Sequence, residues 1–160
     1  MKGMEFEVRP ARAEDVPGIG EVHAASWEAV YAPLFDSTFA EAGIADRRQR
    51  QRVLDGLVVA LSAGRVLAFS YTVPSGERER FLEILSFYGH PDGWGSGVAS
   101  ALMAGTIGGV ERVHLWTLRD TEQSRRFYRK CGFVETGNER TRDFGDGKPL
   151  AQVEYVLVSG

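Results

Sequence analysis

Apolar positions along this chain change their period several times, and each change marks an element. Phe6 to Arg9 reads as a short strand. From Glu14 to Tyr31, the residues Val16, Ile19, His23, Trp27, Val30 and Tyr31 fall on or near one face of a helix. Glu14 and Asp15 put negative charge in its first turn, Pro17 is tolerated because it lies near the start, and Pro33 ends the element. Residues 36–43 predict a short helical piece and residues 45–55 a second, highly charged one. Strands at Leu57–Ser62 and Arg65–Val73 are joined around Gly64, and Pro74-Ser75-Gly76-Glu77-Arg78 is a polar turn. Phe81 to Tyr88 is almost wholly apolar, the pattern of a central strand covered on both faces.

A helix burying Val98, Leu102 and Met103 comes next, then a strand at Val113–Leu118 and a helix at Thr121–Lys130 stopped by Gly132. Phe133 onward and Gln152–Val158 form a final strand pair, with a hairpin signal at Asp146-Gly147. The order β-α-α-β-β-β-α-β-α-β-β predicts an α/β fold, a mixed sheet with helices on both faces. At 160 residues the expectation is one domain over residues 1–160.

Composition narrows the function. Net charge is −3, so bulk electrostatics give no reason to expect nucleic acid as a partner. The basic run Arg47-Arg48-Gln49-Arg50-Gln51-Arg52 is most simply a solvated helix face. No apolar stretch reaches membrane-spanning length, and Met1-Lys2-Gly3-Met4-Glu5 has no signal-peptide core. Cys131 is the only cysteine, which suits a reducing cytoplasm; its helical spacing from Ser124, Phe127 and Tyr128 places it under a helix. His23, His90 and His114 are scattered, with neither metal spacing nor a triad, so no metal is expected.

The chemistry concentrates in one loop. The apolar strand ends in Pro91-Asp92-Gly93, and Trp94-Gly95-Ser96-Gly97-Val98-Ala99-Ser100 opens into a helix. Loop glycines let backbone N–H groups approach a ligand, and a helix start adds unpaired donors and partial positive charge. A phosphate-bearing anion is the natural partner. The glycine pattern alone is also compatible with an ordinary strand-to-helix turn. It half-matches a dinucleotide fingerprint, but Ser100 stands at the third glycine, and too little chain follows for a doubly wound nucleotide domain.

Two linked motifs resemble the GNAT superfamily of N-acetyltransferases. The glycine loop is similar to that family's coenzyme loop, Gln/Arg-x-x-Gly-x-Gly/Ala. Leu115-Trp116-Thr117-Leu118, followed by Thr121-x-x-Ser124-x-x-Phe127-Tyr128-x-x-x-Gly132-Phe133, resembles its second block, and Val8 to Val16 its first strand and helix. Trp94 stands for the usual Gln or Arg, Thr121 for Asn and Ser124 for Ala; the Asn would hydrogen-bond near the pantetheine arm. The resemblance implies a mostly antiparallel sheet of about seven strands, splayed where coenzyme A enters. It also implies direct acetyl transfer from acetyl-CoA to a primary amine of a small molecule or peptide terminus. A non-catalytic acyl-CoA-binding module, sensory or structural, is the alternative. A homodimer stays open.

Under that resemblance each candidate residue has a task and a plainer reading. Backbone N–H groups from Gly95 through Ser96, Gly97, Val98, Ala99 and Ser100 would hold the pyrophosphate, with hydroxyls of Ser96 and Ser100 as added donors. Arg125, Arg126 and Arg129 would reach outer phosphates or form a solvated face. The backbone of Phe87 and Gly89 would line the pantetheine arm, with Trp94, Thr121 and Ser124 nearby. Glu83, a carboxylate inside an apolar strand, is either the general base or a strand-end or arginine-paired acid, with a water chain as substitute. Tyr128 is either the acid for the leaving thiolate or an amphipathic core tyrosine. Ser26, Trp27 and Tyr31 would form the acceptor pocket or simply pack in the core.

Overall fold

The structure, a computed structural model, describes residues 5–159, so Met1 to Met4, on which the reading of the N-terminus rests, lie outside the described residues. The chain runs β1 (Glu7–Pro10), α1 (Val16–Val30), α2 (Ser37–Gln49), β2 (Leu57–Ser62), β3 (Arg65–Pro74), β4 (Leu82–Gly89), α3 (Val98–Ile107), β5 (Arg112–Leu118), α4 (Glu122–Lys130), β6 (Val134–Arg142) and β7 (Leu150–Val158). Seven strands form one sheet in the order β1-β2-β3-β4-β5-β7-β6. β4 and β5 are parallel; β1–β2, β2–β3, β5–β7 and β6–β7 are antiparallel. The ladder between β4 and β5 stops at Ile84 and Leu115, although β4 continues to Gly89 and β5 to Leu118. The expected order and strand count agree with this architecture.

Two compact units emerge. The first gathers residues up to Tyr71 and Ser86–Thr106; the second gathers Thr72–Leu85 and the residues from Ile107 onward. In the first, period-two alternation sorts β2 onto two layers. Leu57, Val59 and Leu61 pack with Ile19 and Val22 of α1, whereas Ala60 packs with Val98 and Leu102 of α3. Tyr88 joins the α1 layer and Phe87 the α3 layer, so consecutive residues of β4 serve opposite faces. Ala63 and Gly64, both at positive φ, make the two-residue turn between β2 and β3. Arg9 ties β1 to the start of α1 through Asp15, at 2.6 Å.

α2 corrects the sequence reading. One helix replaces two pieces, and it ends at Gln49 rather than running to residue 55. Asp36 caps it by accepting the Phe39 N–H, and Arg50 leaves the helix with an extended backbone. Gly43 sits inside it because a side chain there would strike the Trp27 ring, 2.6 Å from a built Cβ. Gly20 of α1 is forced the same way: its Cβ would lie 2.4 Å from the Arg48 carbonyl oxygen.

In the second unit, β7 is flanked by β5 and β6, and α4 covers one face. α4 closes at Cys131 and Gly132: Phe133 N–H donates to Tyr128 O, Gly132 N–H donates to Arg129 O, and the Phe133 ring packs 5.9 Å from Tyr128. Gly132, at φ 98, supplies the left-handed step. The β6–β7 connection contains Asp146-Gly147, as the hairpin signal implies. β6 runs to Arg142, and Asp146-Gly147 lies in a loop whose N–H groups at Gly145 and Gly147 are gathered by Asp143. Full cover of the apolar β4 run fails at Leu85, which is half exposed just past the end of the β4–β5 ladder.

Candidate functional site

The glycine loop folds as a series of short closures in the first unit. Gly93 N–H donates to His90 O, Trp94 N–H to Pro91 O, and Ser96 N–H to Gly93 O. The Ser96 hydroxyl donates to Gly93 O and accepts the Val98 N–H, so this side chain holds the turn rather than standing free as a donor. Gly95 and Gly97 take φ of 79° and 92°, and a Cβ at either would meet nothing within 4 Å. Both glycines are exposed, so the loop backbone there is open to solvent. The first turn of α3 adds N–H groups at Ala99 and Ser100 that no helical carbonyl reaches. Trp94 donates its indole N–H to Gly89 O at 3.1 Å, clasping the loop to the end of β4.

In the first unit the α1 wall carries Trp27, almost fully buried, with Tyr31 and Phe35 rings parallel to it at 6.1 and 5.5 Å. Ser26 is buried too. His23 lies 4.6 Å from the Tyr88 ring, and burial together with Arg52 and Arg47 pushes its pKa down to about 3.

The second unit holds a polar cluster that sequence spacing missed. Glu83 and His114 are register partners, and Glu83 is buried with its carboxylate 3.8 Å from His114 Nε2. His114 Nδ1 lies 2.8 Å from Glu154, and Nε2 lies 2.7 Å from the Ser75 hydroxyl. Arg78 grips both Glu154 oxygens at 2.7 Å, and Thr136 and Asn138 donate to the same carboxylate at 2.9 Å. These donors, Arg78 first, hold Glu154 down at about 2 against its burial. An ionised carboxylate only accepts, so His114 donates from Nδ1 and Nε2 accepts from Ser75. Burial pushes Glu83 above the usual carboxylate range, opposed by His114. Glu83, the second residue of β4, is buried rather than exposed, and among the described residues no arginine forms an ion pair with it.

The hydroxyl–imidazole–carboxylate order resembles a nucleophilic serine. The Ser75 oxygen, however, accepts the N–H groups of Glu77 and Arg78, which engages its lone pairs. Glu77, His114 and Glu154 also bring ligand atoms within 4.8 Å of one another, although Glu154 already carries Arg78. β6 delivers Thr136 and Asn138 by a bulge. It takes four steps, Glu135 to Glu139, where β7 takes two, Tyr155 to Val153, and Gly137 turns at φ 88.

Tyr128 lies on the other face of the unit, buried among Phe127, Phe133 and Tyr155. Arg125 and Arg129 both donate to the Tyr155 hydroxyl and pair with Glu135 and Glu122 respectively; Arg126 is exposed. Thr121 precedes α4 without capping it through its side chain, and Ser124 is half-buried. Burial pushes the Cys131 thiol up, away from a nucleophile's range. A signal for Glu154 did exist: it is the one carboxylate in the otherwise apolar Val153–Val158 segment, the logic that singled out Glu83.

Residues 20–133 match the sequence model described as the Acetyltransferase (GNAT) family. No curated protein matches the chain. Among solved structures, the PaiA N-acetyltransferase of Thermoplasma acidophilum in complex with coenzyme A is 19% identical, with TM-score 0.70 over 94% of this chain and 98% of that one. YncA of Salmonella typhimurium with acetyl-CoA is 20% identical, TM-score 0.70, over 96% and 94%. The ribosomal-protein-alanine N-acetyltransferase of Brucella melitensis is 20% identical, TM-score 0.69, over 96% and 99%.

Proposed function

The chain belongs to the acetyltransferase (GNAT) family, an acyltransferase family, and from that premise we propose that residues 1–160 act as one domain that moves an acetyl group from acetyl-CoA directly to a primary amine. The observation that carries the reading is the Gly95–Ser100 loop, with solvent-open backbone at two positive-φ glycines opening into a helix N-terminus. These groups fit a pyrophosphate. The backbone of Phe87 and Gly89 lines the pantetheine arm, and Thr121 and Ser124 replace the Asn and Ala usual beside it. Acetyl-CoA supplies the acetyl group as a thioester.

Glu83 takes the proton from the acceptor ammonium, a role its raised pKa suits. The freed amine nitrogen bonds to the carbonyl carbon as the carbon–sulfur bond breaks, and the second proton that this nitrogen sheds restores the Tyr128 phenol once it has protonated the thiolate. Tyr128 donates its phenolic proton to the departing thiolate. Trp27 and Tyr31 contact the acceptor, a small molecule or a peptide terminus. One similar structure is a ribosomal-protein-alanine N-acetyltransferase, which keeps peptide termini in that class. Among the described residues no helix is long and apolar enough to cross a membrane, and the lone Cys131 suits a reducing cytoplasm.

The test is thermal denaturation with acetyl-CoA, then free-thiol release with a panel of amines. Acetyl-CoA raises the melting temperature, since it binds the folded state, and a folded Gly97→Glu protein loses that shift. An equal shift in Gly97→Glu overturns the phosphate site. Binding without thiol release for any amine leaves the non-catalytic module in its place.

A further inference from the structure

The basic run at and beyond the end of α2 divides in three dimensions. Arg48 pairs with Glu21, and Arg50 pairs with Asp46, both at the surface. Arg47 and Arg52 turn inward, and neither has a carboxylate partner among the described residues. Arg47 spreads 4.2 Å over the Trp27 ring and donates to Gly43 O at 3.1 Å. Arg52 donates to Arg47 O at 2.6 Å, which sets the two side by side, and reaches His23 Nδ1 at 3.1 Å. The Nε atom of each is buried with no acceptor.

Among the described residues, nothing near them supplies the missing charge. His23 is neutral, its pKa about 3, and its Nδ1 accepts from Arg52. Asp46 is held by Arg50. The remaining neighbours are aromatic: Trp27, Tyr31 and Phe35 on one side, Tyr88 and Phe69 on the other. Ring faces attract guanidinium groups, but more weakly than an ionised partner does. Burial consequently lowers the pKa of both arginines. Elsewhere in the same unit a half-buried arginine is matched: Arg9 has Asp15. Two adjacent, partly desolvated guanidinium groups without a counter-ion cost stability unless an anion answers them.

We infer that the acceptor amine also carries a carboxylate, and that Arg47 and Arg52 hold it beside the Trp27–Tyr31 wall. The inference rests on the reading of Trp27 and Tyr31 as the acceptor wall. Guanidinium forks match a planar carboxylate bidentately. The substrate class is thereby narrowed to amines such as free amino acids, in which ammonium and carboxylate lie a few bonds apart.

The experiment uses the whole protein and needs no coenzyme. Phenylacetate, phenylacetamide and phenyl phosphate are titrated by calorimetry into wild type, Arg52→Gln, Arg52→Lys and Arg47→Gln, with the melting temperature recorded for each. Phenylacetate is expected to bind about tenfold or more tighter than the amide, the scale of one charged hydrogen bond. Arg52→Gln erases the difference and Arg52→Lys restores part of it. Equal binding of acid and amide, no binding of any probe, or a preference that survives both glutamine variants overturns the assignment; so does a preference for phenyl phosphate over phenylacetate. If Arg47→Gln unfolds through loss of its contact with Trp27, the Arg52 pair decides. In parallel, L-phenylalanine, L-phenylalaninamide and phenethylamine are tried as acceptors. Absence of transfer to every amine, with phenylacetate still preferred, counts against the acetyltransferase reading and leaves the carboxylate site standing.

Discussion

Glu83 and His114 face each other across the β4–β5 ladder as direct partners, yet their side chains stop 3.8 Å apart. That separation is too long for a hydrogen bond. His114 is committed on both nitrogens, to Glu154 and Ser75. Glu83 is thus a buried carboxyl without a hydrogen bond to His114, and its burial favours the protonated form.

The first prediction concerns pH. A base acts only when ionised, and burial raises the Glu83 pKa above 4.5. kcat/KM should therefore climb with pH through a midpoint above the ordinary carboxylate value. Glu83→Gln should flatten that limb and lower kcat/KM by ~10²–10⁴-fold, with acetyl-CoA affinity unchanged. A full pH–rate profile decides it; a variant with wild-type rates throughout would make Glu83 structural.

Glu154 should govern acid stability with the opposite sign. Its folded pKa is depressed from 4.5 to about 2, so its contribution is present above the unfolded value and fades as pH falls from 4.5 towards 2. Glu154→Gln should cost about 3–5 kcal/mol at neutral pH, because Arg78 and His114 lose their ionised acceptor. Urea denaturation of both proteins at pH 7 and pH 3 measures this, and the gap between them should narrow at the lower pH.

Tyr128→Phe removes one hydroxyl and keeps a ring packed on Phe133 and Tyr155, so the fold should survive. A loss in kcat of about 10²-fold is expected, the low end for a general acid, because a thiolate is a fair leaving group. Acetyl-CoA affinity measured beside kcat separates the outcomes: lost affinity at normal kcat would mark a binding residue.

Gly20→Ala pits two effects against each other. Alanine in a helix is favoured over glycine by roughly 0.5–1 kcal/mol. Here the added Cβ would sit 2.4 Å from the Arg48 backbone oxygen, so α1 and α2 must part. Overlap with backbone should win, costing about 1–3 kcal/mol. A melting temperature at or above wild type would contradict the close helix contact.

Much of the fold was legible because it rests on local periodicity. The alternation of Leu57, Val59 and Leu61, the stop at Gly132 and the Pro91–Gly97 punctuation each encode their element nearby. Where α2 ends was not legible: charged residues past Gln49 keep helical propensity, yet Arg50 leaves the helix and Arg52 turns inward onto His23 and Phe69, contacts distant in sequence. The glycine loop was readable for the same local reason. The His114 cluster was not, since Arg78, His114, Thr136 and Glu154 meet only through strand register and a bulge in β6. Spacing along a chain carries no trace of either.

The turn that ends α4 also separates what lies on either side of it. Phe133 N–H closes on the carbonyl of Tyr128 itself, and its ring rests on the Tyr128 ring. The backbone of the proposed acid is thus anchored within a few residues of its own position, independently of how the chain continues. Insertions or deletions in the loop between Arg142 and Leu150 would be absorbed downstream of that clasp. The length of that loop is thereby uncoupled from the backbone position of Tyr128.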